Sequence, residues 1–292
     1  LKTLADYTIN RHFPKLNSKN KYLGFFNSVL NRQAKLVSMW MNIGFIHGVM
    51  NTDNTTVSGE TIDFGPCAFM DYYEHFKSYS YIDTYGRYSF GNQGQIILWN
   101  LSKFAEAILP LIYDTPTKAR EMVIESLNEF PKIYENYWIE GLKKKIGLKK
   151  KIKKDNELVL ELLQILNNQK VDFTLAFRCL GNSLSKNKDF LKLFKDRIKI
   201  DFWLKKWKNR ITKENISHQD ICDELQTINP IYIPRNHLVE KIIDKAVNNN
   251  DFSMLREMLS LIREPYKNKK NMKKYSEPPS PREIIKNTFC GT

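Results

Sequence analysis

Apolar residues recur at helical spacing along most of this chain, and one polar stretch, His47 to Pro66, interrupts the pattern early. Leu1 to His12 reads as a short amphipathic helix, stopped by Pro14. Phe26, Leu30, Gln33, Val37, Trp40 and Met41 predict a helical run from Phe26 to Phe45 with a wide apolar stripe, which delivers the chain to His47. Ala68 to Tyr73 reads as a short helical turn, followed by an aromatic-rich, Ser-containing stretch to Phe90. Gln95 to Ile112 predicts a long amphipathic helix with Trp99 on its apolar face, and Thr117 to Ile146 another, marked by Ala119, Met122, Val123, Ser126 and Leu127. A lysine run, Lys143 to Lys154, is broken at Gly147 and reads as a solvated helix end or loop.

The helical pattern then resumes. Leu158, Leu160, Leu162, Leu163 and Leu166 form one segment, and Asp172 to Leu180 another, stopped by Gly181-Asn182. Trp203 and Trp207 sit four residues apart, where core packing explains them best. Asn229-Pro230 and Pro234 break the pattern, after which Leu238 to Val247 and Phe252 to Ile262 read as helices. Tyr266 to Arg282 is rich in Lys, Asn, Ser and Pro and is expected to be exposed and extended. The division is therefore one helical body, 1–265, that carries the 47–66 loop, and an extended, basic, Pro-containing tail, 266–292.

Composition narrows the function classes. With 292 residues and 42% hydrophobic content the chain can bury a substantial core, and no apolar run is expected to be long enough to span a bilayer. The net charge of +14 invites an anionic partner, but much of the excess lies in the one lysine run, and no zinc-finger or RNP signature supports nucleic-acid binding. Cys67, Cys179, Cys222 and Cys290 are widely separated and form no C-x-x-C pair, which points to reduced thiols in a cytoplasmic protein, with Cys290 the most reactive.

The stretch HGVMNTDNTTVSGETIDFGP carries the candidate chemistry. Protein kinases place an H-R-D-L-x-x-x-N loop shortly before a D-F-G triplet, where the Asn and the second Asp bind Mg²⁺. On that pattern His47 takes the His position, Asn54 the Asn, and Asp63-Phe64-Gly65 the triplet, whereas Val49 stands where the base Asp belongs. Asp53 is the carboxylate within the loop that can take over proton or water positioning. Asn54 and Asp63 suit Mg²⁺, which binds through one or two side chains plus substrate phosphates. Thr55-Thr56-Val57 and Thr61-Ile62 flank Ser58-Gly59 and predict a short hairpin that folds Asp63 back beside Asn54. His47 is expected to brace the loop backbone. Clusters of Asn, Asp, Thr and Gly also make ordinary turns, and a D-F-G triplet alone is a weak match.

A family resemblance extends beyond the loop. HGVMNTDN followed by TIDFGP resembles the signature of the selenoprotein O (YdiU) protein adenylyltransferases. Further likenesses are the 85–93 segment (YGRYSFGNQ), Leu98-Trp99-Asn100-Leu101, Val171-Asp172-Phe173-Thr174, Asn229-Pro230, Arg235-Asn236-His237 and the 288–292 end (TFCGT). The resemblance implies a mainly α chain with a small β hairpin, the C-terminal lobe of a protein-kinase-like (pseudokinase) α+β fold. It implies ATP as cofactor with Mg²⁺ or Mn²⁺, and transfer of AMP to Ser, Thr or Tyr hydroxyls of protein substrates. Asp53 is then the base, Asn54 and Asp63 the metal ligands, and Asp63 also lies against the ATP phosphates. Val49 is no defect on this view, because the family generally lacks the kinase base there.

Two departures qualify the likeness. The family's N-terminal lobe, with its nucleotide-clamping residues, is not in this sequence, which begins with Leu1 and resembles the C-terminal part of a longer protein or one product of a split gene. A separately encoded N-lobe is then a partner, and the alternative is a non-catalytic remnant or interaction scaffold. Some bacterial members also carry, after D-F-G, a Cys that pairs with the C-terminal Cys; this chain has Tyr79 there. The expected location is cytoplasmic, or mitochondrial in a eukaryote; neither nucleic acid nor membrane is an expected partner.

Overall fold

The computed structural model describes residues 1–185 and 188–289. Helix α1 (Lys2–His12) is followed by α2 (Lys21–Ile43), which starts five residues before the predicted run. Asn20 sets that start, its side chain accepting from the Leu23 amide at 3.0 Å. Gly44 ends the helix in the left-handed region, at φ +73°, where a Cβ would meet the Phe173 ring at 3.0 Å.

Strand β1 (Phe45–Ile46) pairs antiparallel with β2 (Ala68–Phe69), in the register Phe45↔Phe69 and Ile46↔Ala68. The helical turn expected over Ala68–Tyr73 is thus corrected to a strand followed by loop. Chain reversal at Gly44 brings the backbone of 45–46 against 68–70, where its polar groups need partners, and Met70 N also donates to Gly44 O at 2.8 Å. The hairpin expected within 55–62 reduces to a single bridge, Thr55↔Thr61. Its tip is closed by side chains rather than by a backbone ladder: Thr56 Oγ1 donates to Glu60 O at 2.9 Å and accepts from Glu60 N at 3.1 Å.

Helices α3 (Gln93–Ile112) and α4 (Pro116–Lys145) pack on α2 and on each other, and this trio holds much of the main core. The stretch Phe90–Ile112, whose helical part is α3, is long and apolar enough by composition to cross a bilayer, which corrects the expectation of no such run. Its buried row, Ile97, Leu101, Ala105, Ile108 and Ile112, belongs to the main core. Trp99 is corrected too: it is 41% exposed, with the Arg87 guanidinium 4.9 Å from its ring.

The chain continues through α5 (Asp155–Gln169), α6 (Phe173–Leu180), α7 (Asp189–Lys192), α8 (Arg197–Ile211) and α9 (His218–Ile228). Trp203 and Trp207 are fully buried as expected, stacked at 6.1 Å, and each indole nitrogen donates to a carbonyl, of Leu158 and Ile146 respectively.

Helices α10 (Asn236–Asn249) and α11 (Ser253–Ile262) enclose a second, smaller core with Tyr232 and Tyr275. Arg235, fully buried, joins this unit to the body, donating to Asp71 at 2.5 Å, to Asp172 at 2.8 Å and to the Ser276 carbonyl at 2.9 Å. The exposure expected over 266–282 is therefore corrected at Tyr275 and Ser276, which are buried; the Tyr275 hydroxyl donates to Glu257 at 2.5 Å. Further on, Thr288 N donates to Tyr79 O at 2.6 Å and Tyr81 N to Thr288 O at 3.0 Å. Cys67, Cys179 and Cys222 are free thiols, while Cys290 lies outside the described residues.

Candidate active-site loop

The 47–66 loop leaves β1 and returns to β2, so both ends are fixed by the same strand pair. Gly48 makes the exit possible. It sits at φ +86°, and a Cβ there would lie 2.9 Å from the Pro66 carbonyl oxygen.

Between these ends the backbone is held chiefly by neutral polar side chains from the core helices. From α2, Gln33 donates to Thr56 O at 2.5 Å, and Trp40 Nε1 donates to Thr61 Oγ1 at 2.9 Å. From α3, Asn100 donates to Met50 O at 3.1 Å and to Thr55 Oγ1 at 2.8 Å. Gln93, fully buried, accepts from His47 N at 3.0 Å and donates to Phe45 O at 3.0 Å. Each of these contacts satisfies a backbone or hydroxyl group that no regular ladder reaches. Arg32 adds one cation at the tip, donating to Ser58 O at 3.1 Å.

His47 braces the loop, as expected. Its ring is fully buried beside Trp40 and Phe45, with Nε2 2.8 Å from Ile62 O. A carbonyl can only accept, so Nε2 carries the proton, and among the described residues Nδ1 is buried without a hydrogen-bond partner. Burial pushes the imidazole pKa down, outweighing the Ile62 hydrogen bond and the nearby Asp63 charge. The ring is therefore a neutral strut across the base of the loop, bound to the carbonyl of the residue before Asp63.

The three candidate residues sit on the outer side. Thr52–Asn54 forms a single 3₁₀ turn with Asp53 exposed. Asn54 is half-buried, and its amide nitrogen donates to Val49 O at 3.1 Å, which commits the nitrogen and leaves Oδ1 as the atom suited to a cation. Asp63 is exposed and sits at φ +53°, a conformation that Asp tolerates better than most residues. Phe64 is 60% exposed, its ring 6.5 Å from that of Phe45. Among the described residues Arg87 is not paired with Asp63; its guanidinium stacks on Trp99, and its backbone amide donates to Asp83 at 2.7 Å. Among those residues, too, no three His, Cys, Asp or Glu side chains gather as a metal cage.

Sequence reasoning missed Gln93 and Asn100 as loop supports, and read Gln33 only as part of an apolar stripe. A signal was available: an amide at a position where the helical period demands an apolar residue is a buried polar group that needs a partner.

A mainly helical chain with one small antiparallel pair, and a carboxylate-bearing loop suspended from buried amides, is the class defined so far. The profile of the family described as "Protein adenylyltransferase SelO" matches residues 1–263, and the chain belongs to that family. It is similar to proteins named "Protein nucleotidyltransferase YdiU". One from Maridesulfovibrio salexigens is 44% identical over 294 residues, covering 100% of this chain and 60% of the relative. The counterpart from Rhizobium rhizogenes is 42% identical over 296 residues (100% and 59%), and that from Geobacillus kaustophilus 41% over 299 residues (100% and 60%). The chain thus spans about three-fifths of the length of these curated relatives.

Proposed function

We propose that this chain forms the kinase-like lobe of a protein nucleotidyltransferase, one wall of a cleft that moves AMP from ATP to Ser, Thr or Tyr hydroxyls of other proteins, the hydroxyl attacking the α-phosphorus and pyrophosphate leaving. The observation that carries the reading is the loop's construction. Two carboxylates, Asp53 and Asp63, stand exposed on a backbone whose supports are almost all neutral. Family membership and the names of the relatives supply the reaction class.

The residues present suit Mg²⁺ or Mn²⁺. Such ions are held by one or two protein oxygens plus substrate phosphates rather than by a full protein cage, and Asn54 Oδ1 and Asp63 are donors of that kind. When bound, the ion neutralises phosphate charge. The chain's own contribution is positional. Asp63 aligns the nucleotide phosphates, and Asp53 takes the proton from the incoming hydroxyl. The buried amides hold both carboxylates in place before substrate arrives, so that no reorganisation is needed at reaction. The remaining family length is the other wall, supplied in the same polypeptide or by a separately encoded partner.

The test is transfer of label to protein from ATP labelled at the α-phosphate, by this chain alone and by this chain joined to the rest of the family length. Label that appears with the longer protein and disappears with Asp63→Ala supports the reading. Label only from the γ-position means phosphotransfer. No label from either, with folded protein, leaves the interaction scaffold.

A further inference from the structure

The lysine run and the exposed face of α8 take no part in the loop, yet they meet in one place. Helices α5 and α8 lie side by side, and the residues that line the furrow between them run from Asp155 to Asn168 on α5, about 20 Å at 1.5 Å per residue. It opens into two cavities, about 450 and 470 Å³, that share Glu161 on their wall.

The two ends differ in chemistry. At one, Ile198 and Phe202, four residues apart on α8, are 82% and 61% exposed over a floor that includes buried Ile165. Two large apolar side chains on one helical row, out of the core and beside a cavity, form a small apolar anchor site. At the other end, Lys153, Lys154 and Lys213 line the cavity. Arg210 is matched there by Asp155 and Glu214, and Lys206 by Glu161 across the furrow. Among the described residues Lys153, Lys154 and Lys213 have no carboxylate within ion-pair distance, so the end carries excess positive charge.

We infer that this furrow is a docking site for a peptide segment of a partner protein, one that combines apolar anchor residues with an adjoining acidic cluster. The anchors cover Ile198 and Phe202, and the acidic side chains meet Lys153, Lys154 and Lys213. Charge complementarity selects the occupant. A nucleic-acid backbone fits less well, because Phe202 is the lone exposed aromatic ring among the lining residues, too few for base stacking, and the exposed Ile198 beside it suits an apolar side chain. A flat membrane surface cannot follow a concave furrow. The inference is independent of the reading of the loop, since the two share no residue.

The experiment uses the chain itself and a fluorescein-labelled synthetic peptide in which paired leucines precede a run of glutamates, read by anisotropy at low and high salt. Saturable, salt-weakened binding is expected. Ile198→Ser with Phe202→Ser, and separately Lys153→Glu with Lys154→Glu, should each weaken it about tenfold or more. These side chains are exposed, so the variants should keep the thermal midpoint of the parent, which a melt checks. Absence of saturable binding overturns the proposal, as does binding untouched by both variant pairs. Preferential binding of phosphatidylserine vesicles or polyuridine RNA, lost with the same substitutions, overturns it in favour of a membrane or nucleic-acid surface.

Discussion

Two of the regions where this molecule buries polar groups do so differently. The 47–66 loop is fastened mostly by neutral groups, Gln33, Trp40, His47, Gln93 and Asn100, acting on backbone or hydroxyl partners. The C-terminal unit is fastened by charge, Arg235 against Asp71 and Asp172. Neutral fasteners position a backbone without imposing a field of their own, which leaves the exposed carboxylates of Asp53 and Asp63 to dominate the electrostatics beside them. The ionic cluster sets one fully buried guanidinium against two buried carboxylates, so its strongest interactions are internal to the joint. At these two places, then, a neutral anchor underlies exposed carboxylates and an ionic anchor underlies a joint between two cores.

The largest effect should come from breaking the ionic joint. Arg235→Met leaves two carboxylates facing each other in the interior, and should cost about 3–5 kcal/mol in chemical denaturation. Adding Asp71→Leu and Asp172→Leu to that variant should return part of the loss, although Asp172 also caps α6 through the Leu175 amide. If Arg235→Met unfolds no more readily than the parent, the joint is not what holds the C-terminal unit.

Next is the neutral fastening. Gln93→Ala strands the His47 amide and the Phe45 carbonyl in the core, and should lower stability by about 1–3 kcal/mol. Its distinguishing mark is local: hydrogen exchange should accelerate in 47–66 and leave Arg235 and its partners protected. Gly48→Ala follows at about 1–2 kcal/mol, from the left-handed backbone and the Pro66 carbonyl.

The pH response of His47 is smaller. Its folded pKa lies below the unfolded value, so the unfolded chain binds the proton more readily and stability falls as pH drops below about 6.5. The loss continues until the pH reaches the depressed folded value. Denaturation at neutral and mildly acidic pH should show this slope, reduced in His47→Gln; an equal slope in both proteins would assign it to other groups, among them the similarly shifted His75 and His237.

Helices were legible wherever one face alone is buried, because a single apolar row survives in the sequence: α2, α4 and the Trp203–Trp207 row of α8 lie where the period puts them. The period failed at Ala68–Phe69, where partner backbone from a segment more than twenty residues away decides the conformation. It failed at Trp99 because an aromatic ring on a helix can be covered by a cation as well as by a core. The tail composition hid Tyr275, an aromatic residue that completes the second core. At the loop, Asp53, Asn54 and Asp63 were named from their chemistry and His47 as a brace, whereas the supports Gln93 and Asn100 were passed over. Gln93 and Asn100 act over more than forty residues of chain, and local pattern carries no trace of that distance.

The smallest expected change in stability belongs to the most consequential substitution. Asp63→Asn should move the unfolding free energy by no more than about 0.5 kcal/mol, since the side chain is exposed and Asn also accepts the left-handed backbone. Calorimetric titration of Mg-ATP into the full-family-length protein, parent and Asp63→Asn, measured alongside their melting temperatures, tests the central claim directly. A loop that presents charge on a neutral frame predicts affinity weakened about tenfold or more with the melting temperature unchanged. Unchanged affinity, or a loss of affinity that follows a loss of stability, would contradict it.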